Sequence, residues 1–209
     1  MFGKKQPSAA DQLRPLLYGD APLDAFTGIE DFAAVRRALA AGDLNGARAR
    51  LRGIVADPAR GSREHLQAWH ELRALGEVPP QPARLYGVVV DMFLGETFET
   101  LAAYADGTCR YLHSSGRVLV WEAQDDEVDR AVRAVLGVAE NVVARIGPWE
   151  GPRPPLRAPN TRLSMLCAGG LYFGEGPTAQ LQADPMGGPL LAAAASLLAL
   201  LTSRAAEGQ

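Results

Sequence analysis

Lysine is nearly missing from this 209-residue chain: Lys4 and Lys5 are the only two, so almost all of its fixed positive charge is arginine. The 21 basic side chains are outnumbered by 24 acidic ones, for a net charge of −3. There is no basic surplus to neutralise a phosphate backbone, and nucleic acid is not an expected partner. Cysteine is as scarce. Cys109 and Cys167 lack CxxC spacing and cannot make a disulfide framework, which fits reduced, buried thiols in a cytoplasmic protein. Residues 1–7 carry the two lysines but run into polar sequence without the apolar core of a signal peptide. The longest apolar stretch, residues 189–201, falls short of the roughly 18 to 20 residues of a membrane span and reads as a buried helix. Arginine in place of lysine, with abundant alanine, suggests a GC-rich bacterial genome.

What is present is turn punctuation. Apolar residues from 85 to 122 are interrupted by Asp106-Gly107 and Ser114-Ser115-Gly116, two compact turn signals. A four-strand antiparallel meander follows, with strands at 85–94, 100–105, 108–113 and 117–122. The first is apolar on both alternating sets, as a central strand covered on both faces would be. Asp125 and Asp126 then suit a helix start. Val128, Val132, Val135, Ala139, Val142 and Ile146 form one stripe at helical spacing, predicting a helix over 126–146 that packs across the sheet. A hairpin around Ala168-Gly169-Gly170 joins strands at 163–167 and 171–173, and a last apolar helix runs over 189–202, with Asp184 as a candidate cap.

Before the sheet the pattern is helical. Residues 1–22 read as a loosely ordered leader broken by Gly and Pro, and residues 23–78 as short helices. Phe32, Val35 and Leu39 mark the first helix, Ala47, Leu51, Ile54 and Val55 the second, and Leu66, Trp69, Leu72 and Leu75 the third, announced by Ser62. Pro79, Pro80 and Pro82 place a linker at 79–84, before an α+β domain over 85–204 and a tail at 205–209. Gly42, Ala47, Leu51 and Pro58 give residues 28–61 a partial resemblance to the second half of a tetratricopeptide repeat, which implies a protein-binding surface. The element order over 62–204 resembles secretion chaperones and the roadblock or profilin-like folds. Those resemblances imply dimers that bind other proteins, although fold order alone does not transfer a function. The expected class is α+β: an N-terminal helical region, then a mainly antiparallel sheet of four-strand meander plus hairpin, packed with two helices.

Candidate chemistry is sparse. Cys109 and His113 lie four apart in a strand, about 13 Å along it, beyond hydrogen-bond reach. His65 and His70 are turned about 140° from each other on a helix, so they do not form a metal-binding pair. No metal and no cofactor is expected. The stretch from Gly169 to Pro177 has no Gly-Lys-Ser/Thr and fails as a phosphate loop; it reads as a hairpin followed by a Gly174-Glu175-Gly176-Pro177 turn, whose functional version gates a small pocket beside Trp149. Asp91 interrupts an apolar strand and is expensive to bury unpaired; it is expected at the solvated strand end or paired with an arginine such as Arg110, with Glu96, Glu99 and Glu122 as other carboxylates. The segment from Pro152 to Arg157 has the PxxPxR form of a polyproline ligand and reads as a stiff loop.

The expected function is a non-catalytic, cytoplasmic protein-binding module: an adaptor, a chaperone-like partner or an immunity-type inhibitor, acting as a homodimer or in a complex. Its contact residues would be Trp149, Tyr172, Phe173 and the outer face of the last helix with Leu197 and Leu201. The alternative is a small-ligand sensor or an enzyme with a pocket between sheet and helices, using Asp91, Glu175 or Cys109. A concave site with convergent polar groups would favour the alternative; a filled core with a flat apolar patch outside it would favour the module.

Overall fold

The structure, a computed structural model, describes residues 8–26, 29–94 and 97–207. Residues 1–7, residue 28, Glu96 and residues 208–209 lie outside the described residues; residues 205–207, expected as a tail, are the end of the last helix. Strand β1 (Leu85–Leu94) sits in the middle of an antiparallel sheet with β2 (Thr97–Tyr104), β3 (Cys109–Leu112), β4 (Val118–Trp121), β5 (Asn160–Cys167) and β6 (Gly170–Pro177). Their order is β4-β3-β2-β1-β5-β6, so the meander runs outward from one side of β1 and the hairpin from the other. The α+β class and the N-terminal helical region are as the sequence indicates.

Both alternating sets of β1 are apolar because both faces are covered. Leu85, Val88 and Val90 pack with Val128, Val132, Val135 and Ala139 of α5 (Asp126–Val143) and with α7 (Gly187–Glu207). Tyr86 and Val89 pack on the opposite side with α2 (Glu30–Ala40), α3 (Leu44–Ala56) and α4 (Ser62–Ala74). The helical region therefore shares a core with the sheet. The α5 cap is Asp125, whose carboxylate accepts from the Glu127 and Val128 N–H groups at 2.8 and 3.2 Å. Asp184 does the same before α7, accepting from Met186 and Gly187 at 2.9 and 2.7 Å. The turn between α2 and α3 uses Gly42 at φ 74°, where a side chain would be strained.

Several boundaries differ from expectation. The α4 cap is Gly61 rather than Ser62, with the Glu64 carboxylate reaching back to the Gly61 N–H at 3.0 Å. Ser62 is freed to tie the helix to the β2–β3 turn: its N–H donates to Asp106 Oδ2 at 2.7 Å, and its Oγ accepts from the Asp106 N–H at 3.1 Å. The leader is structured from Ser8 onward, because α1 (Ala9–Leu13) and a 3-10 turn (Arg14–Leu17) bring Leu17 and Tyr18 into the core. Residues 174–177 are not a turn. Gly174, Glu175 and Gly176 continue β6 opposite Leu163, Arg162 and Thr161, and a short helix, α6 (Thr178–Ala183), follows.

The last helix is longer than its apolar stretch, and at 21 residues it has the length and composition of a membrane span. Its Leu190, Leu191, Leu197 and Leu201 are buried in the same core as α5, while only 28% of its most apolar 18-residue stretch is buried. Leu197 and Leu201 are therefore not on an outer face, and Tyr172 is likewise buried, at 6% exposure. The exposed side of α7 carries Ala192, Ala195, Ser196 and Ala199. Truncating Leu197 to Ala should lower stability by about 2 to 5 kcal/mol, read as a fall in the urea midpoint at unchanged slope. Ala195→Arg, on the opposite side, should stay within about 0.5 kcal/mol of the parent.

Candidate functional site

The face of the sheet beneath α2–α4 is apolar at one end and polar at the other. Towards the polar end it presents Asp91 and Phe93 from β1, Phe98 and Thr100 from β2, and Arg162 from β5. Asp91 is opposite Thr100 on one side and Arg162 on the other. It is only 2% exposed. A carboxylate so placed must be met by donors. Thr100 Oγ1 donates to Asp91 Oδ1 at 2.7 Å, and the Tyr18 hydroxyl donates to Asp91 Oδ2. Arg110 is not its partner. It lies on β3, two strands or about 10 Å from β1, and pairs with Glu122 instead.

The leader follows from this requirement. Arg14 donates through Nε to Thr100 Oγ1 at 3.2 Å and stacks over Phe98 at 4.1 Å. The Leu17 carbonyl accepts the Tyr104 hydroxyl at 2.7 Å. Burial, then the Asp91 carboxylate, push the Tyr18 hydroxyl well above the usual tyrosine pKa. It is therefore a fixed donor at neutral pH.

Residues 149–159 close the site from the other side. Arg153 grips Asp20 with two hydrogen bonds, Nε to Oδ2 at 3.1 Å and NH2 to Oδ1 at 3.3 Å, and its guanidinium lies 3.6 Å from the Tyr18 ring centre. Arg162, 1% exposed, donates from NH1 to the Pro154 carbonyl at 2.7 Å and forms an ion pair with Glu175. Burial opposes ionisation of Glu175, yet hydrogen bonds from Asn160 and Arg162 hold its carboxyl below the usual range. Glu175 is thus a clamp for Arg162 rather than the tip of a gating turn. Trp149 is 47% exposed, donates from Nε1 to the Pro152 carbonyl at 3.1 Å, and leans on Phe173 with ring centres 5.1 Å apart.

Two clefts meet at Tyr18 and Arg153. The larger, about 510 Å³, is lined by Asp20, His70, Arg73 and Trp149 as well as the two shared residues. The smaller, about 430 Å³, lies towards Arg14, Asp91, Phe98 and Arg162. Arg73, on α4, donates from NH1 to the Ala168 carbonyl. Among the described residues no carboxylate forms an ion pair with it. Burial lowers its pKa, with the more distant Asp20 acting the other way.

The sequence candidates are scattered by comparison. Trp149 and Phe173 meet, but Tyr172, Leu197 and Leu201 belong to the opposite core. Cys109 and Cys167 are buried, and burial pushes both thiols up to about 12. Cys109 does not meet His113, whose Nε2 is 3.3 Å from Glu99 and whose Nδ1 is 2.8 Å from Ser115 Oγ. His65 faces the Asp57 carbonyl at 3.0 Å while His70 lines the larger cleft, as their angular separation requires. No group of three or more metal-ligating side chains is gathered among the described residues. Tyr18, Asp20, Arg73 and Arg162 escaped sequence reasoning. One signal was available for Arg162: like Asp91, it is the one charged residue in its strand.

Compared with known proteins, the chain matches no family model, no curated protein and no solved structure. The site is thus read from its own geometry.

Tyr18→Phe should cost about 1 to 3 kcal/mol, because it removes one of two donors to a buried carboxylate. The folded pKa of Tyr18 lies above its unfolded value near 10, so the stability its neutral hydroxyl provides is complete below that pH and is lost as pH rises past it. Denaturant midpoints measured through the alkaline range should fall less steeply in Tyr18→Phe than in the parent. Both thiols should resist a disulfide reagent at pH 8 in the folded chain and react promptly once it is unfolded, as followed by absorbance of the released chromophore.

Proposed function

We propose that the protein is a non-catalytic binding protein that holds a small ligand in the cleft between Arg73, Trp149 and Arg153. The observation that carries this reading is the cleft itself. At about 510 Å³ it has the size of a small-molecule site, with polar side chains converging from α4, the leader and the 149–159 segment around a half-exposed tryptophan. The lining residues also favour binding over turnover. Asp20 is engaged by Arg153, Cys167 is a buried thiol held protonated, and the Tyr18 hydroxyl is tied to Asp91 with its pKa raised by burial, which makes it a poor nucleophile. Reduced buried thiols are what a cytoplasmic protein keeps, and that compartment is part of the same proposal.

A protein-binding module, as a dimer or in a complex, is the second reading, and one observation favours it. Strand β4 is a sheet edge of Val118, Leu119, Val120 and Trp121, with Val120 52% exposed. An apolar edge invites another strand.

Native mass spectrometry of the gently purified protein separates the two. A small-molecule mass excess that disappears on denaturation is expected, and it should be lost from Trp149→Ala while the unfolding midpoint stays within about 1 kcal/mol of the parent. A stoichiometric protein partner or a dimer, with an empty cleft, would move the assignment to the second reading.

A further inference from the structure

We infer that the larger cleft takes a small planar organic anion, its carboxylate or phosphoryl group held by Arg73 and Arg153 and its ring laid against Trp149. This rests on the reading of the cleft as a ligand site and adds the class of ligand. The charge count of the lining is the first ground. Asp20 is the one carboxylate among the described lining residues, against Arg73 and Arg153, with His70 as a further titratable neighbour. Asp20 is taken up by both hydrogen bonds to Arg153, so Arg73 is the surplus cation.

Arg73 is also a costly residue to leave as it is. It is half-buried, its one hydrogen bond among the described residues goes to the neutral Ala168 carbonyl, and burial already depresses its pKa. A partly desolvated cation whose described hydrogen bond goes to a neutral carbonyl, and whose charged neighbour, Asp20, is already bound to Arg153, is stabilised further by an incoming anion. The bond to Ala168 leaves the remaining guanidinium donors for a carboxylate or phosphoryl group, either of which can offer two oxygens to the arginine fork. Arg153 keeps NH1 uncommitted in the hydrogen bonds described.

Two aromatic rings line the cleft, and only one is available to a ligand. Tyr18 has its hydroxyl on Asp91 and its face under Arg153. Trp149 rests on Phe173 and is 47% exposed, which leaves surface for a second ring. A half-buried cation and a more exposed indole lining one cleft select a molecule that is charged at one end and flat at the other.

The test uses matched probes that differ only in the charged group: adenosine monophosphate against adenosine, and benzoate against benzamide, with inorganic phosphate as the bare anion. Affinities are measured on the full chain by calorimetry and by tryptophan fluorescence at low and moderate salt. The charged member of at least one pair should bind about tenfold more tightly than its neutral counterpart and weaken as salt is raised. Which pair responds separates a phosphoryl from a carboxylate ligand. Arg73→Gln and Arg153→Gln should each abolish the preference, Arg73→Lys should restore part of it, and Arg133→Gln on the exposed side of α5 should leave it intact. Circular dichroism reports whether each variant is folded. Equal binding of charged and neutral probes, or a preference that survives Arg73→Gln, would overturn the anion assignment while leaving the cleft a ligand site. If folded protein binds none of the probes and carries no retained molecule, the anion assignment and the proposed function fall together.

Discussion

The carboxylate of Asp91 in the central strand is the constraint to which the rest of the site answers. A charge at 2% exposure in β1 cannot be left to a passing solvent molecule, so two neighbours are committed to it. Thr100 comes with the sheet register. Tyr18 comes from 73 residues away and must be held there by other means: the Leu17 carbonyl on Tyr104, Arg14 on Thr100, and Arg153 stacked on the ring. Residues 149–159, in turn, are fixed by Arg153 on Asp20 and by Arg162 on the Pro154 carbonyl. One buried charge thus accounts for an ordered leader and a pinned proline-rich segment, and for the two hollows left where they meet the sheet.

What could be read from the residues alone was what depends on periodicity. The α5 stripe, the β1 pattern with both sets apolar and the turns at Gly107 and Gly116 each rest on spacing; the strand and the turns stand where expected, and α5 begins as expected but ends at Val143, before Ile146. Misreadings came where tertiary contacts override local signals. Gly174-Glu175-Gly176-Pro177 looks like a turn, but pairing with Asn160, Thr161, Arg162 and Leu163 keeps it extended. The Gly and Pro residues of the leader suggest disorder, yet Leu17 and Tyr18 are anchored by groups on distant strands. Leu197, Leu201 and Tyr172 have the composition of an interface and the position of a core, a distinction that composition does not carry.

The cleft was the least legible part. Its walls come from α4, the leader, residues 149–159 and the β5–β6 hairpin, four segments with no common motif. Arg153 was visible only as part of a polyproline-like string, and nothing around Arg73 in sequence distinguishes it from the other arginines of the helical region. What sets Arg73 apart is burial that lowers its pKa while no ion pair forms with it among the described residues, a property of the fold alone. The two cysteines illustrate the converse: their scarcity suggested inert thiols, and their depth supplies the physical reason, since burial penalises the thiolate.

The wall between the two hollows is thin: Tyr18 and Arg153 line both. A molecule in the larger one that draws the Arg153 guanidinium towards itself loosens it from the Tyr18 ring and from Asp20, and thereby reshapes the smaller one beside Asp91. Thermodynamic linkage makes such an effect mutual, so occupancy on either side is felt on the other by the same factor. If the larger hollow binds as proposed, the pair would behave as one coupled receptor, with the stacked arginine and tyrosine as the element they share.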